Sequence, residues 1–236
     1  MTTRPARLKF KVCCIRSFAE AELAIHNGAD FLGFVSAMPS GPGVIELAQI
    51  RDIVAAVHAM EHRDDLPVCV LLTSHLDAES ILEDAHFCAV GAIQLVHHVD
   101  LAVHHDLSMR APGLHRIQVI HVEDERAISM AQNYAQHCDY LLLDSGRPSA
   151  LQGGPLELGG TGRTHDWEIS AAIVNRVDKP VFLAGGLNPA NVNTAVARVR
   201  PFAVDACSGL RSSNMLDAAK LTNYVSELDA IDRHLM

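Results

Sequence analysis

Apolar runs of strand length alternate along this chain with stretches whose apolar residues return every three or four positions. That alternation predicts βαβ units built around a parallel sheet. Strands are expected at 8–15, 31–35, 67–73, 92–95, 116–121, 140–144, 180–184 and 202–206. Helices are expected at 18–27, 47–60, 77–86, 101–109, 124–136, 166–177, 190–198 and 217–228. Stops such as Asn27-Gly28 mark helix ends, with the next strand beginning a few residues on. Eight such pairs close a barrel, so the expected fold class is α/β, a (β/α)8 TIM barrel filling residues 1–236 as one domain.

The pattern also marks where glycine gathers. Five glycines (Gly153, Gly154, Gly159, Gly160 and Gly162) fall between the sixth strand and a helix that Asp166 can cap. The stretch 147–157 is the longest irregular one and reads as an active-site loop. Glycine turns recur after the next two strands, at Gly185-Gly186 and at Ser208-Gly209. In a closed barrel these three loops share one rim, and bare N–H groups there suit a phosphate. Three ordinary tight turns are the plainer alternative.

Composition narrows the partners. A formal charge of -9, from 19 basic and 28 acidic residues, argues against nucleic acid or an anionic membrane, and is compatible with a local positive site for the small phosphorylated molecule that the glycine loops suit. No apolar run reaches transmembrane length and no signal-peptide core lies near Met1, so a cytoplasmic protein is expected. Cys13, Cys14, Cys69, Cys88, Cys138 and Cys207 form no paired C-x-x-C pattern and read mostly as reduced core thiols. The pairs His97-His98 and His104-His105 lack a matching carboxylate or cysteine, so no metal site is expected.

Reactive groups in this fold sit at the C-terminal ends of strands. Cys13 lies near the end of the first strand and Asp144 ends the sixth. A thiolate and a carboxyl group across a barrel mouth can act as base and acid. A buried core cysteine and a capping aspartate are the structural alternatives. Cys14, next to Cys13 in a strand, is expected to face the opposite way and pack behind it.

Several segments, in order along most of the chain, carry a resemblance: Lys11-Val12-Cys13, Ala29-Asp30-Phe31-Leu32-Gly33-Phe34, Ile93-Gln94-Leu95 and Leu142-Leu143-Asp144 in the first half. Gly159-Gly160-Thr161-Gly162-Arg163-Thr164 with Asp166-Trp167, Ala184-Gly185-Gly186-Leu187-Asn188-Pro189, and Val204-Asp205 with Ser208-Gly209 continue it. Together they resemble the phosphoribosylanthranilate isomerase family of tryptophan biosynthesis. The resemblance implies an Amadori rearrangement with Asp144 as general acid, Cys13 as base, and no cofactor or metal. It implies further that Gly160, Thr161, Gly162, Gly185, Gly186, Ser208 and Gly209 hold the phosphate, with Gln94 and Asp205 lining the site.

Departures from the family pattern cluster on the side away from the phosphate. Pro42 stands where the family has an arginine that pairs with the substrate's carboxylate, and Val96 and His97 replace a His-Gly pair. Cys14 replaces a glycine, Cys207 a serine, and Arg211 a glutamate. Three readings follow: Arg211 or Arg147 supplies the missing cation, the substrate carries no carboxylate, or the barrel only binds a phosphosugar without turnover. An aldolase or epimerase lacks support, because no lysine ends a strand where a Schiff base would form.

Overall fold

The computed structural model describes residues 8–39, 41–60, 66–146 and 164–235, the side chains of 232–235 excepted. Its eight parallel strands are β1 (Lys9–Val12), β2 (Phe31–Val35), β3 (Val68–Thr73), β4 (Ala92–Leu95), β5 (His115–His121), β6 (Tyr140–Asp144), β7 (Val181–Leu183) and β8 (Ala203–Ala206). They follow one another around a closed barrel in chain order, and β1 pairs with β8 in the register Lys11↔Asp205, Val12↔Ala206. The helices between and after them are α1 (Phe18–His26), α2 (Leu47–His58), α3 (Ala78–Cys88), α4 (Leu101–Arg110), α5 (Arg126–Ala135), α6 (Trp167–Val174), α7 (Val192–Val199) and α8 (Ala218–Leu235). The expected (β/α)8 architecture is therefore the observed one.

Boundaries differ where local hydrogen bonds override periodicity. β1 stops at Val12 rather than at 15, because Cys14 takes a left-handed φ of 64° that no strand tolerates. α7 starts later than expected, since Asn188 and Asn191 first close a turn: Asn188 N donates to Asn191 Oδ1, and Ala190 N to Asn188 Oδ1, each at 2.9 Å. α6 opens as expected on Asp166, whose carboxylate accepts from Glu168 N at 2.8 Å. After β8 the chain makes one 3-10 turn (Ser208–Leu210) and a short antiparallel pair, β9 (Arg211–Ser212) with β10 (Met215–Leu216), which the periodicity had not indicated.

Strand alternation divides the apolar residues into two sets. One set faces the helices, where Phe10, Leu32, Leu71, Ile93, Leu141 and Val204 bury against Ile25, Val54, Ile81, Ile173 and Leu221. The other fills the barrel interior, with Phe31, Val70, Leu72, Ala92, Ile117, Val119, Leu142 and Phe182 among its members. At the N-terminal end the rings of Phe31, Tyr140, Phe182 and Phe202 pack edge to face, Phe31 to Phe182 at 4.9 Å between centroids. The lower half of the barrel is thus solid core, and open space is left at the other end, where the strands finish. Among the described residues no helix is long and apolar enough to cross a membrane.

Candidate active site

The period of two that orders the interior also sets the site. Lys11 and Cys13, Ala92, Gln94 and Val96, Leu142 and Asp144, and Ala203, Asp205 and Cys207 lie at spacings of two on their strands or just past them. The upper members line a cavity that opens at this end of the barrel. Cys13, Gln94, Asp144 and Asp205, singled out in the sequence, all line it, as do Gly185, Gly186 and Ser208. One wall is apolar, made by Val35, Met38, Pro42, Leu72 and Val96; the opposite wall carries Ser145, Gly185, Gly186 and Ser208. Gly160, Thr161 and Gly162, together with Ser40 and Arg147, lie outside the described residues.

Beneath the cavity sits a charge pair that sequence reasoning passed over. Lys11 is fully buried, and its Nζ donates to Asp205 Oδ2 at 2.8 Å across the β1/β8 seam. Burial works against the ammonium, yet Asp205 and the neighbouring thiols hold its pKa above the ordinary value. A lysine two residues before Cys13 must share its inward face, so the alternation carried the signal. Gly33 was also missed as a site residue. A Cβ there would stand 2.9 Å from Cys13 Sγ and 3.1 Å from Lys11 Nζ, so β2 leaves out a side chain where β1 needs the room.

The two candidate proton carriers are shifted in opposite directions. Asp144 is raised from 3.8 to about 6, chiefly by burial, although its Oδ1 accepts from Ser145 N at 2.8 Å. Cys13 is pulled below the usual thiol value, first by its hydrogen bond with the Cys14 thiol and then, against the cost of burial, by the Lys11 ammonium. One group thus leans towards the neutral acid and the other towards the thiolate, the division of labour an acid/base pair requires. Among the described residues neither Gln94 Oε1 nor Asp205 Oδ1, both buried at the cavity, has a hydrogen-bond partner, which leaves two acceptors for a ligand.

Two expectations are corrected. Cys14 does not pack behind β1; it lines the cavity beside Cys13. The strand has already ended at Val12, and the φ of 64° at Cys14 breaks the alternation on which the expectation rested. Arg211 does not line the cavity as a free cation. Its guanidinium pairs with Glu20 at 3.0 Å and donates to the carbonyl oxygens of Cys13 and Cys14. Glu20 is itself fixed, accepting from Arg16 N and Leu216 N, while Ser17 caps α1 by accepting from Glu20 N. Arg211 therefore ties β9 to the loop after β1. Of the residues in the two histidine pairs, His104 is buried, with Nε2 2.9 Å from Gln118 Oε1.

Gly209 packs against the neighbouring loop instead of lining the cavity. A Cβ on it would come within 2.1 Å of the Leu187 carbonyl oxygen and 2.8 Å of Asn188 Cβ. The loops after β7 and β8 are interlocked at this point, and neither neighbour is a flexible side-chain tip. Gly209→Ala should cost about 1 to 3 kcal/mol in urea unfolding, as over-packing does. A value within about 0.5 kcal/mol of the parent, the range of an ordinary surface change, would show that the loops are not locked together.

The family model described as N-(5'phosphoribosyl)anthranilate (PRA) isomerase matches residues 10–227. A protein from Methanosarcina mazei named N-(5'-phosphoribosyl)anthranilate isomerase 2 is 34% identical over 224 residues, covering 92% of each chain. The like-named protein of Halobacterium salinarum is also 34% identical, over 94% of this chain and 96% of its own. Among solved structures, the phosphoribosyl anthranilate isomerase of Thermotoga maritima superposes with a TM-score of 0.77 at 26% identity, over 94% of this chain and 99% of that one. Another of that name, in complex with reduced 1-(o-carboxyphenylamino)-1-deoxyribulose 5-phosphate, gives a TM-score of 0.75 at 25% identity, with the same coverage.

Proposed function

The chain belongs to the N-(5'-phosphoribosyl)anthranilate isomerase family, and from that premise we propose how its cavity carries out the isomerisation. The reaction is an Amadori rearrangement, turning an N-linked phosphoribosyl amine into a 1-deoxyribulose phosphate. Asp144, protonated, gives its proton to the furanose ring oxygen. The ring C–O bond breaks as the amine lone pair forms a C=N bond. The Cys13 thiolate then removes the proton from C2′, the electrons pass to nitrogen through a new C1′=C2′ bond, and the enolamine tautomerises to the ketone. The observation that carries this assignment is the opposed shift of Cys13 and Asp144 within one cavity.

Phosphate binding is assigned to the backbone N–H groups of the loops after β7 and β8, at Gly185, Gly186 and Ser208, joined by Gly160, Thr161 and Gly162. Gln94 Oε1 and Asp205 Oδ1 supply acceptors for sugar hydroxyls. The wall of Val35, Met38, Leu72 and Val96 suits an aromatic aglycone. Pro42 on that wall offers neither charge nor N–H to a carboxylate, and Arg211 is held by Glu20. The substrate class proposed is therefore N-aryl phosphoribosyl amines, phosphoribosylanthranilate among them. The free thiols fit a reducing compartment and support a cytoplasmic location.

Incubation with phosphoribosylanthranilate, followed by loss of its fluorescence, tests this reading. First-order decay in proportion to added protein is the expected result. No decay above the uncatalysed rate, together with binding of a reduced product analogue, would replace catalysis by phosphosugar binding.

A further inference from the structure

We propose that Cys14 and Cys207 form a reversible disulfide on exposure to a hydroperoxide, and that this bond switches off the cavity that contains Cys13. Their sulfur atoms stand 2.7 Å apart, with the Cys207 thiol donating to Cys14. The residues are 193 positions apart in sequence but follow neighbouring strands, β1 and β8. Cys13 N donates to Ala206 O at 3.0 Å, so the backbones bearing the two thiols are fastened together one residue away from each. Closing the gap to a bonded distance of about 2.05 Å needs less than an ångström of movement.

The placement favours this pair over the others nearby. Cys14 is 5% exposed and Cys13 6%, whereas Cys207 is partly open to solvent, so a small peroxide meets Cys207 first. Gly43 packs directly against Cys14: a Cβ there would lie 2.6 Å from Cys14 Cβ and 3.0 Å from its sulfur, so the thiol has no room on that side. A Cys13–Cys14 bond would join adjacent residues and be strained.

The chemistry balances with the peroxide as oxidant. The Cys207 thiol loses its proton and attacks one peroxide oxygen; the O–O bond breaks, and the other oxygen leaves with a proton as water or an alcohol. The product is a sulfenic acid. Cys14 sulfur then displaces the sulfenic oxygen, which leaves as water with the Cys14 proton, and the S–S bond forms. Two thiols have lost two electrons and the peroxide has gained them.

The bond changes the site in two ways. Cys14 loses the S–H that donates to Pro42 O at 3.6 Å on the apolar wall, and with it the thiol that helps hold Cys13 low. It also fixes two residues of the cavity wall to each other. The effect on turnover rests on Cys13 being the base, whereas bond formation does not.

The test treats the parent protein and Cys207→Ser with hydrogen peroxide, blocks remaining thiols, maps peptides by mass spectrometry, and measures turnover before and after dithiothreitol. The parent should yield a cross-linked peptide joining residues 14 and 207, lose activity by about a hundredfold, as loss of a general base does, and recover it on reduction. Cys207→Ser should give no cross-link and keep its own untreated rate through the same dose. A peptide map without the 14–207 link, or one in which Cys13 is joined instead, overturns the site. A complete 14–207 link with undiminished turnover overturns the switch. A parent inactive before oxidation faults the isomerase reading, while the cross-link still decides the thiol pair.

Discussion

Asp144→Asn is expected to lower turnover by on the order of a thousandfold while making the folded protein more resistant to unfolding at alkaline pH. Asparagine keeps the shape and the acceptor that Ser145 N uses, but it has no acidic proton to give. The stability effect comes from burial, which raises the carboxyl from 3.8 to about 6. The folded state therefore holds this proton more tightly than the unfolded chain does. Below about pH 4 both states are protonated and the stabilising contribution of that proton is complete; it drains away as pH rises towards 6 and is gone above it. A shift of this size corresponds to about 2 to 3 kcal/mol, which the neutral asparagine regains at pH 8. Urea unfolding of both proteins at pH 4 and pH 8 measures the gap, which should widen with pH. In the parent, kcat/KM should fall on the alkaline side of about pH 6 as the acid ionises. Parental turnover in the variant would remove Asp144 from the mechanism, and a gap that narrows with pH would contradict its burial.

Lys11→Met should be the most destabilising of the substitutions considered, at about 3 to 5 kcal/mol. The lysine is fully buried with its Nζ on Asp205 Oδ2, and the other carboxylate oxygen has no hydrogen-bond partner among the described residues. Taking the ammonium away strands a buried charge, which costs far more than the pair itself contributes. The companion change Asp205→Asn removes that charge, so the double variant Lys11→Met with Asp205→Asn should recover much of the loss. Unfolding midpoints of the two single variants and the double variant give the coupling. A single-variant cost below about 1 kcal/mol, or a double variant no better than the sum of its parts, would mean the two groups are not bound to each other in solution. Turnover in the double variant should remain low, because Cys13 has also lost the cation that favours its thiolate.

Most of the architecture could be read from the chain because the period of a strand is short and barrel interiors leave little room for exceptions. Asp144 follows from being the last residue of an apolar run, whereas Asp205 and Gln94 are legible only through the family resemblance, although they share a face with Ala203 and Ala92. Cys14 was misjudged because alternation applies only while the backbone stays extended, and a non-glycine residue at φ 64° gives no local warning. Arg211 reads from sequence as one source of the missing cation because its partner, Glu20, lies 191 positions away on α1. That partner is visible in sequence only as the fourth residue of a capping box, Ser17 to Glu20. Gly33 looked like a strand residue without a task until the Cys13 sulfur was placed against it.

The seam between β1 and β8 has a consequence for the life of the chain. Lys11 and Cys13 are made well before Asp205, which lies 194 positions beyond Lys11. Contacts of such long range form late, after loops of nearly the whole chain have closed. During synthesis the thiol and the lysine thus emerge early without the carboxylate that tethers the lysine, and the cavity stays chemically idle. Reactivity arrives only with β8, the strand that closes the barrel, so a chain released before it is inert.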